Sequence, residues 1–169
     1  ATLSQLTPLF NTVYSQISNV KPTEIIYKSS VDEISEDSKS NCDKILAKLS
    51  LNRGVELERG LTLTGPHRDD LLLMLGEHQV KAYASHGEAW SIALALKLAT
   101  YNLLKADGLS PILILDDVFS ELDEDRREKL AAIANSTEQT IITVAVESDL
   151  PKSISGEKYL VKAGMVSKL

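Results

Sequence analysis

The chain has 169 residues, 43% of them hydrophobic and 25% charged, and carries a net charge of −6. That length suits one compact domain, or one domain with a small lobe. The acidic balance excludes a generic polyanion binder, so nucleic-acid contacts have to come from a local basic patch or another chain.

Cys42 is the single cysteine, which rules out an internal disulfide and gives no sign of an oxidising compartment. No apolar run reaches membrane-spanning length, and the first twenty residues lack a signal-peptide pattern. These features predict a cytoplasmic protein with no membrane partner. The chain opens without Met and reads as a fragment.

In chain order, Leu6, Leu9, Phe10, Val13, Tyr14 and Ile17 fall at helical spacing and predict an amphipathic helix over 3–18, ended by Asn19 and Pro22. Residues 23–28 predict a short strand, and the serine- and acid-rich 29–41 a loop. A second helix is expected from about 41 to 52, extending to 59, with Cys42, Ile45, Leu46 and Leu49 on its apolar face and Gly60 as its stop. Cys42 is therefore expected to be buried.

The period then changes. "LTLTG", "DDLLLML" and "HQVKAYA" carry strand signals, the last two as a hairpin across "GE". Residues 87–106 are apolar almost all round and predict a long buried helix with Trp90 in the core. A strand at 112–115, a helix at 123–134, a strand at 140–146 and a final strand near 158–162 complete the series. The apolar strands suit parallel strands covered on both faces.

The stretch "ILILDDVFSELD" (112–123) delivers two adjacent carboxylates, Asp116 and Asp117, at the carboxyl end of a strand. In open α/β sheets that end carries the ligand site. Neighbouring like charges are costly without a cation or water network. Successive residues point to opposite faces, so one carboxylate can serve a Mg²⁺ while the other faces a different point. The alternative is that the pair caps the turn after the strand.

"YASHGEAWSIALALKLA" (83–99) places Ser85, Gly87 and Glu88 at a helix start. It reads either as an ordinary capped helix or as a phosphate-binding N-terminus. His67, His78 and His86 lack the spacing of a zinc site.

Together with "GPHRDDL" (65–71), these stretches resemble the RecF family of bacterial recombination and repair proteins, within the ABC/SMC-type ATPase heads. "SHGE" is similar to the signature motif, "ILILDD" to Walker B and "SELD" to the D-loop, the last followed by Arg126 and Arg127. The resemblance covers about residues 53–147. It implies an α/β fold: the C-terminal half of a P-loop NTPase, with a helical lobe (1–60) and a signature, Walker B and D-loop portion (61–169) built on a mainly parallel sheet.

By the same resemblance, Asp116 holds Mg²⁺ through water and Asp117 is the catalytic carboxylate acting on the attacking water. Ser85, Gly87 and Glu88 contact the ATP held by a second copy, and Ser120 and Asp123 form a D-loop contact across the homodimer. For Asp123 a helix N-cap is an equally good reading, and both roles can hold at once. His67 and Arg68 read either as a phosphate or interface pair or as a turn in which Arg68 pairs with Asp69 or Asp70. His86 is either a nucleotide contact or a solvated loop histidine.

The implied whole protein is a weak DNA-dependent ATPase of DNA repair, recombination and replication within the SOS response. It would bind double-stranded DNA and gapped or single-stranded junctions, and work with RecO and RecR to load RecA. No Gly-x-x-Gly-x-Gly-Lys-Thr/Ser run occurs in these residues, so this chain alone is expected to be inactive. Two further departures are the lack of a histidine near Ala145 and the Glu-Ala-Trp at 88–90 in place of Gln-Gln-Arg. Two other readings stay open: an SMC-like chromosome-maintenance ATPase head, and a non-catalytic module that keeps the fold for dimerisation.

Overall fold

A computed structural model describes residues 2–18, 21–31, 34–35 and 37–169. Asn19, expected to end the first helix, lies outside the described residues, as do 32, 33 and 36 of the expected loop. The chain folds as two compact units: residues 23–83, and residues 1–22 together with 84–169. They divide the chain differently from a boundary at residue 60. The reason is the first helix, α1 (Thr2–Ile17), whose apolar stripe is spent on α4 (His86–Ala106) of the second half.

In the larger unit the core is a helix pair. Leu6, Phe10, Val13, Tyr14 and Ile17 of α1 are buried, and Ser91, Ile92, Leu94, Ala95, Leu98, Ala99 and Tyr101 of α4 are buried as well. Burying one such large apolar side chain contributes about 1.5–3 kcal/mol, so this stripe is a main source of the unit's stability. The expectation that α4 is buried all round is corrected. Ala93, Lys97, Thr100 and Leu104 form an exposed stripe at helical spacing, and Trp90 is only half-buried.

Beyond α4, β4 (Leu113–Asp116) pairs in parallel with β5 (Thr140–Thr143), with Asp116 opposite Thr143. The helix α5 (Glu124–Asn135) lies between them in sequence and buries Leu130, Ala131 and Ala134. The two strands are covered on one face, not both. Leu113 and Leu115 are buried, whereas Ile112, Ile114 and Ile141 are 51%, 63% and 46% exposed. Period-two alternation sends these isoleucines to the other face of the pair. The strand expected over 140–146 stops at Thr143, and the backbone bends after it.

The chain closes with a hairpin of β6 (Tyr159–Lys162) and β7 (Met165–Lys168). Ala163 and Gly164 both adopt positive φ, 51° and 78°, the geometry of a tight two-residue hairpin turn. Only β6 is expected from the sequence.

The smaller unit is an antiparallel sheet in the order β1 (Thr23–Lys28), β2 (Asp70–Leu75), β3 (His78–Gln79), with Thr23 opposite Leu75. β3 holds only two residues. The strand expected over 78–84 ends after Gln79, and the helical turn α3 (Val80–Tyr83) follows in its place.

The helix α2 (Ser38–Arg59) starts three residues earlier than expected. Asp37 caps it by accepting from the Lys39 and Ser40 amides, each at 3.1 Å. Gly60 ends it in the left-handed region at φ 63°, as a glycine does with least strain. Its predicted apolar face is corrected: Cys42 and Leu46 are exposed, and no residue of α2 is fully buried. Polar contacts tie the helix down instead. Asn52 donates to Thr64 Oγ1 at 3.0 Å, and Glu56 Oε1 accepts from the Leu63 amide at 2.6 Å. That second bond also bears on why "LTLTG" is no strand, since the Leu61 and Leu63 amides turn to Glu56 of α2 and the Gly65 amide to Ser30 Oγ. Among the described residues no helix is long and apolar enough to cross a membrane.

Candidate nucleotide site at the end of the parallel pair

The carboxylates stand where β4 ends. Asp116 is the last residue of the strand, and one of its oxygens accepts a hydrogen bond from the Thr143 hydroxyl. Asp117 follows in the left-handed region at φ 51°, ψ 25°. For a residue with a Cβ that conformation costs about 1–3 kcal/mol, and Asp and Asn bear it best. The site meets that cost with backbone bonds. The Asp117 amide donates to Thr143 O and to Thr143 Oγ1, both at 3.1 Å, and the Ser120 hydroxyl donates to Asp117 O at 2.8 Å. Both carboxylates are exposed. Among the described residues no side chain caps through the Asp117 carboxylate.

Phe119 and Leu122 anchor the segment between the carboxylates and α5, at 0% and 4% exposure. Asp123 then caps α5 by accepting from the Arg126 amide at 2.9 Å. The N-cap expected for Asp123 is thus present in the structure.

Ser85 opens α4 with a reciprocal capping box. Its hydroxyl accepts from the Glu88 amide at 3.3 Å, and its own amide donates to Glu88 Oε2 at 2.9 Å. The other Glu88 oxygen takes the Lys21 ammonium at 3.0 Å. The Ser85 amide and then Lys21 hold the Glu88 carboxyl well below its usual 4.5, at about 2. A depressed carboxyl stabilises the fold above its unfolded pKa and loses that contribution as pH falls through its folded value. Thermal melts of the protein are therefore expected to show an acid loss between about pH 4.5 and pH 2 that Glu88→Gln flattens. An unchanged acid limb in that variant would show that the pair contributes nothing.

The folded chain brings the two stretches together. His86 Nε2 lies 3.4 Å from Glu121 Oε2. A Cβ on Gly87 would stand 3.1 Å from Arg126 Nη1, and Arg126 in turn pairs with Asp123 at 3.5 Å. Gly87 thus lets the Arg126 guanidinium lie against the start of α4. His86 is 78% exposed.

His67 and Arg68 belong to the smaller unit, where both contact Thr62. The His67 ring meets Thr62 Oγ1 at 2.6 Å, and Arg68 Nε donates to Thr62 O at 2.7 Å. The alternative pairing of Arg68 with Asp69 or Asp70 is corrected. Asp69 accepts instead from the Tyr27 hydroxyl and from the Ser30 amide at 2.6 Å, which lowers its pKa and raises that of Tyr27.

Sequence reading missed Lys21, Thr143, Arg126 and Glu121 as members of this cluster. For Thr143 a signal exists: a polar residue at the end of an apolar strand, in a chain whose other strand ends in carboxylates. Lys21 carries none, because its partner is 67 positions away.

The fold that brings the capped helix start against the turn after the strand-end carboxylate is that of the solved SMC-type ATPase heads. The fold matches the SMC head of Pyrococcus furiosus with a TM-score of 0.58 over 99% of this chain and 35% of that one, at 14% identity. The similarity in sequence is to RecF. The chain is similar to the DNA replication and repair protein RecF of Streptomyces avermitilis, 44% identical over 168 residues that cover 99% of this chain and 45% of the relative. It also matches a solved structure described as the recombination mediator protein RecF–ATPrS in the RecFOR pathway, with a TM-score of 0.82, 28% identity, and coverage of 99% of this chain and 44% of that one. The chain thus spans under half the length of these relatives. No family model matches it.

Proposed function

We propose that the chain is the signature, Walker B and D-loop portion of a RecF-like recombinational DNA repair ATPase. One observation carries the reading: the Ser85–Glu88 helix start and the Asp117–Asp123 turn are packed on each other through His86–Glu121 and Gly87–Arg126. They form one exposed surface at the end of β4. In this reading that surface meets the ATP bound by a second copy, with the Ser85 hydroxyl and the free amides of the first turn of α4 facing its terminal phosphate.

Asp116 suits a hard cation kept in its water shell, since Mg²⁺ takes few protein carboxylates and one Asp116 oxygen is already engaged by Thr143. Bound Mg²⁺ supplies neutralisation of phosphate charge. Asp117, on the turn beyond, polarises the attacking water or accepts its proton. Ser120 and Asp123 hold the turn and contact the second copy. ATP closes the dimer on DNA at gapped or single-stranded junctions, hydrolysis reopens it, and RecO and RecR act with it to load RecA. The net charge of −6 argues that the DNA-binding surface lies largely outside these residues. An SMC-like assignment is less well supported, given 14% against 28% identity to the solved structures.

The test is ATP-dependent dimerisation of the full-length gene product. Light scattering is expected to show the mass doubling with ATP and Mg²⁺, and Ser85→Arg to remain monomeric. Dimerisation of Ser85→Arg at wild-type nucleotide concentration would remove Ser85 and its helix start from the interface and overturn the reading.

A further inference from the structure

We infer that Thr143 is a positioning residue that sets the geometry of both carboxylates at once; this deepens the proposed nucleotide site and rests on that reading. Asp116 and Thr143 are opposite each other in the parallel ladder, so their side chains stand on the same face at adjacent strand ends. The Thr143 hydroxyl has one proton, and it goes to Asp116 Oδ1. Its lone pairs are left to accept, and the Asp117 amide donates to them at 3.1 Å. A single hydroxyl therefore reads the direction of one carboxylate and the backbone of the next residue.

Two properties make Thr143 suited to this. A hydroxyl bonded to an ionised carboxylate forms a charge-assisted bond, roughly twice as strong as a neutral one. Threonine is also branched at Cβ and stiff at χ1, so the hydroxyl is held in place rather than searching rotamers. The result is a directed Asp116: Oδ1 is engaged by Thr143, and Oδ2 of this exposed residue is left for a hydrated cation. The second bond is one of three that hold the Asp117 backbone at φ 51°. Thr143 touches neither nucleotide nor water in this scheme; it acts through the two aspartates.

The experiment uses the full-length protein and the isosteric change Thr143→Val, with Thr143→Ser as its conservative partner. Valine keeps the shape and leaves the Asp117 amide its bond to the residue 143 carbonyl, so the fold is retained. Binding of Mn²⁺ with ATP, read from the electron paramagnetic resonance signal of free Mn²⁺, is expected to weaken about 10- to 100-fold in Thr143→Val, the range for partners that orient a metal-holding group. Thr143→Ser is expected to stay within about threefold of wild type on the same scale. Hydrogen–deuterium exchange of the nucleotide-free protein is expected to be faster in the 114–119 segment of Thr143→Val and unchanged in Thr143→Ser.

Wild-type Mn²⁺ binding in Thr143→Val, with binding lost in Asp116→Asn, would overturn the role of Thr143 and leave the nucleotide site standing. Wild-type binding in Asp116→Asn would overturn the site itself. Equal weakening in the valine and serine variants would show a packing role only, and also overturns the inference. Should Thr143→Val melt well below wild type, Thr143→Ala against Thr143→Ser makes the same comparison.

Discussion

Asp117→Asn is expected to lower ATP turnover of the full-length protein by at least about 100-fold, the scale on which a positioned acid–base group contributes. The ATP-bound dimer is expected to persist in this variant, because the change blocks the step that reopens it. Asparagine is the informative choice. It tolerates the left-handed backbone at φ 51° nearly as well as aspartate does, so the turn and its bonds to Thr143 and Ser120 stay in place. Alanine would mix the loss of a carboxylate with backbone strain. Phosphate release and light scattering on the same sample separate turnover from assembly. Turnover within a few-fold of wild type would leave a dimerisation module as the better account of this surface.

Phe119→Ala is the change expected to cost most in stability, about 3–5 kcal/mol, the range for truncating a fully buried aromatic side chain. Phe119 is 0% exposed and lies between Asp117 and Asp123, so it fastens the turn that carries both to the core of the larger unit. A loss of that size is comparable to the whole folding margin of many domains. Chemical denaturation should show a lower midpoint, and the variant should lose turnover without any change to a polar group of the site. A midpoint within about 1 kcal/mol of wild type would mean that the turn is held by its hydrogen bonds and not by its anchor.

Much of the larger unit is readable from residue order alone. The five buried residues of α1 all lie on its predicted apolar stripe, because a 3.6-residue period leaves little freedom over which side faces inward. Ser85 and Asp123 are legible as helix starts, since short polar side chains before apolar or charged runs satisfy orphan amides. The failures share a different cause. Periodicity marks residues fit for burial but not what is there to bury them. Ile112, Ile114 and Ile141 read as core and stand 46–63% exposed, and Cys42 and Leu46 of α2 are exposed too. The site was half legible for a related reason. Each carboxylate and each cap announces itself locally. The bonds that aim them, Thr143 to Asp116 and Lys21 to Glu88, depend on strand register and chain return, which no local pattern encodes.

The Lys21–Glu88 pair has a topological meaning as well as an electrostatic one. Lys21 stands on the last stretch before the chain leaves the larger unit, and Glu88 just after it comes back, so the 3.0 Å contact closes the neck of an inserted module. Everything from residue 23 to residue 83 is a loop in the polymer sense, with both ends already joined. Closing a loop depends only weakly on its length: each doubling adds about 0.6 kcal/mol. On that scaling the length of the intervening segment enters the closure cost of the larger unit only logarithmically. The pair thus joins the two chain passages inside the larger unit itself, next to the capped start of the helix that carries Ser85.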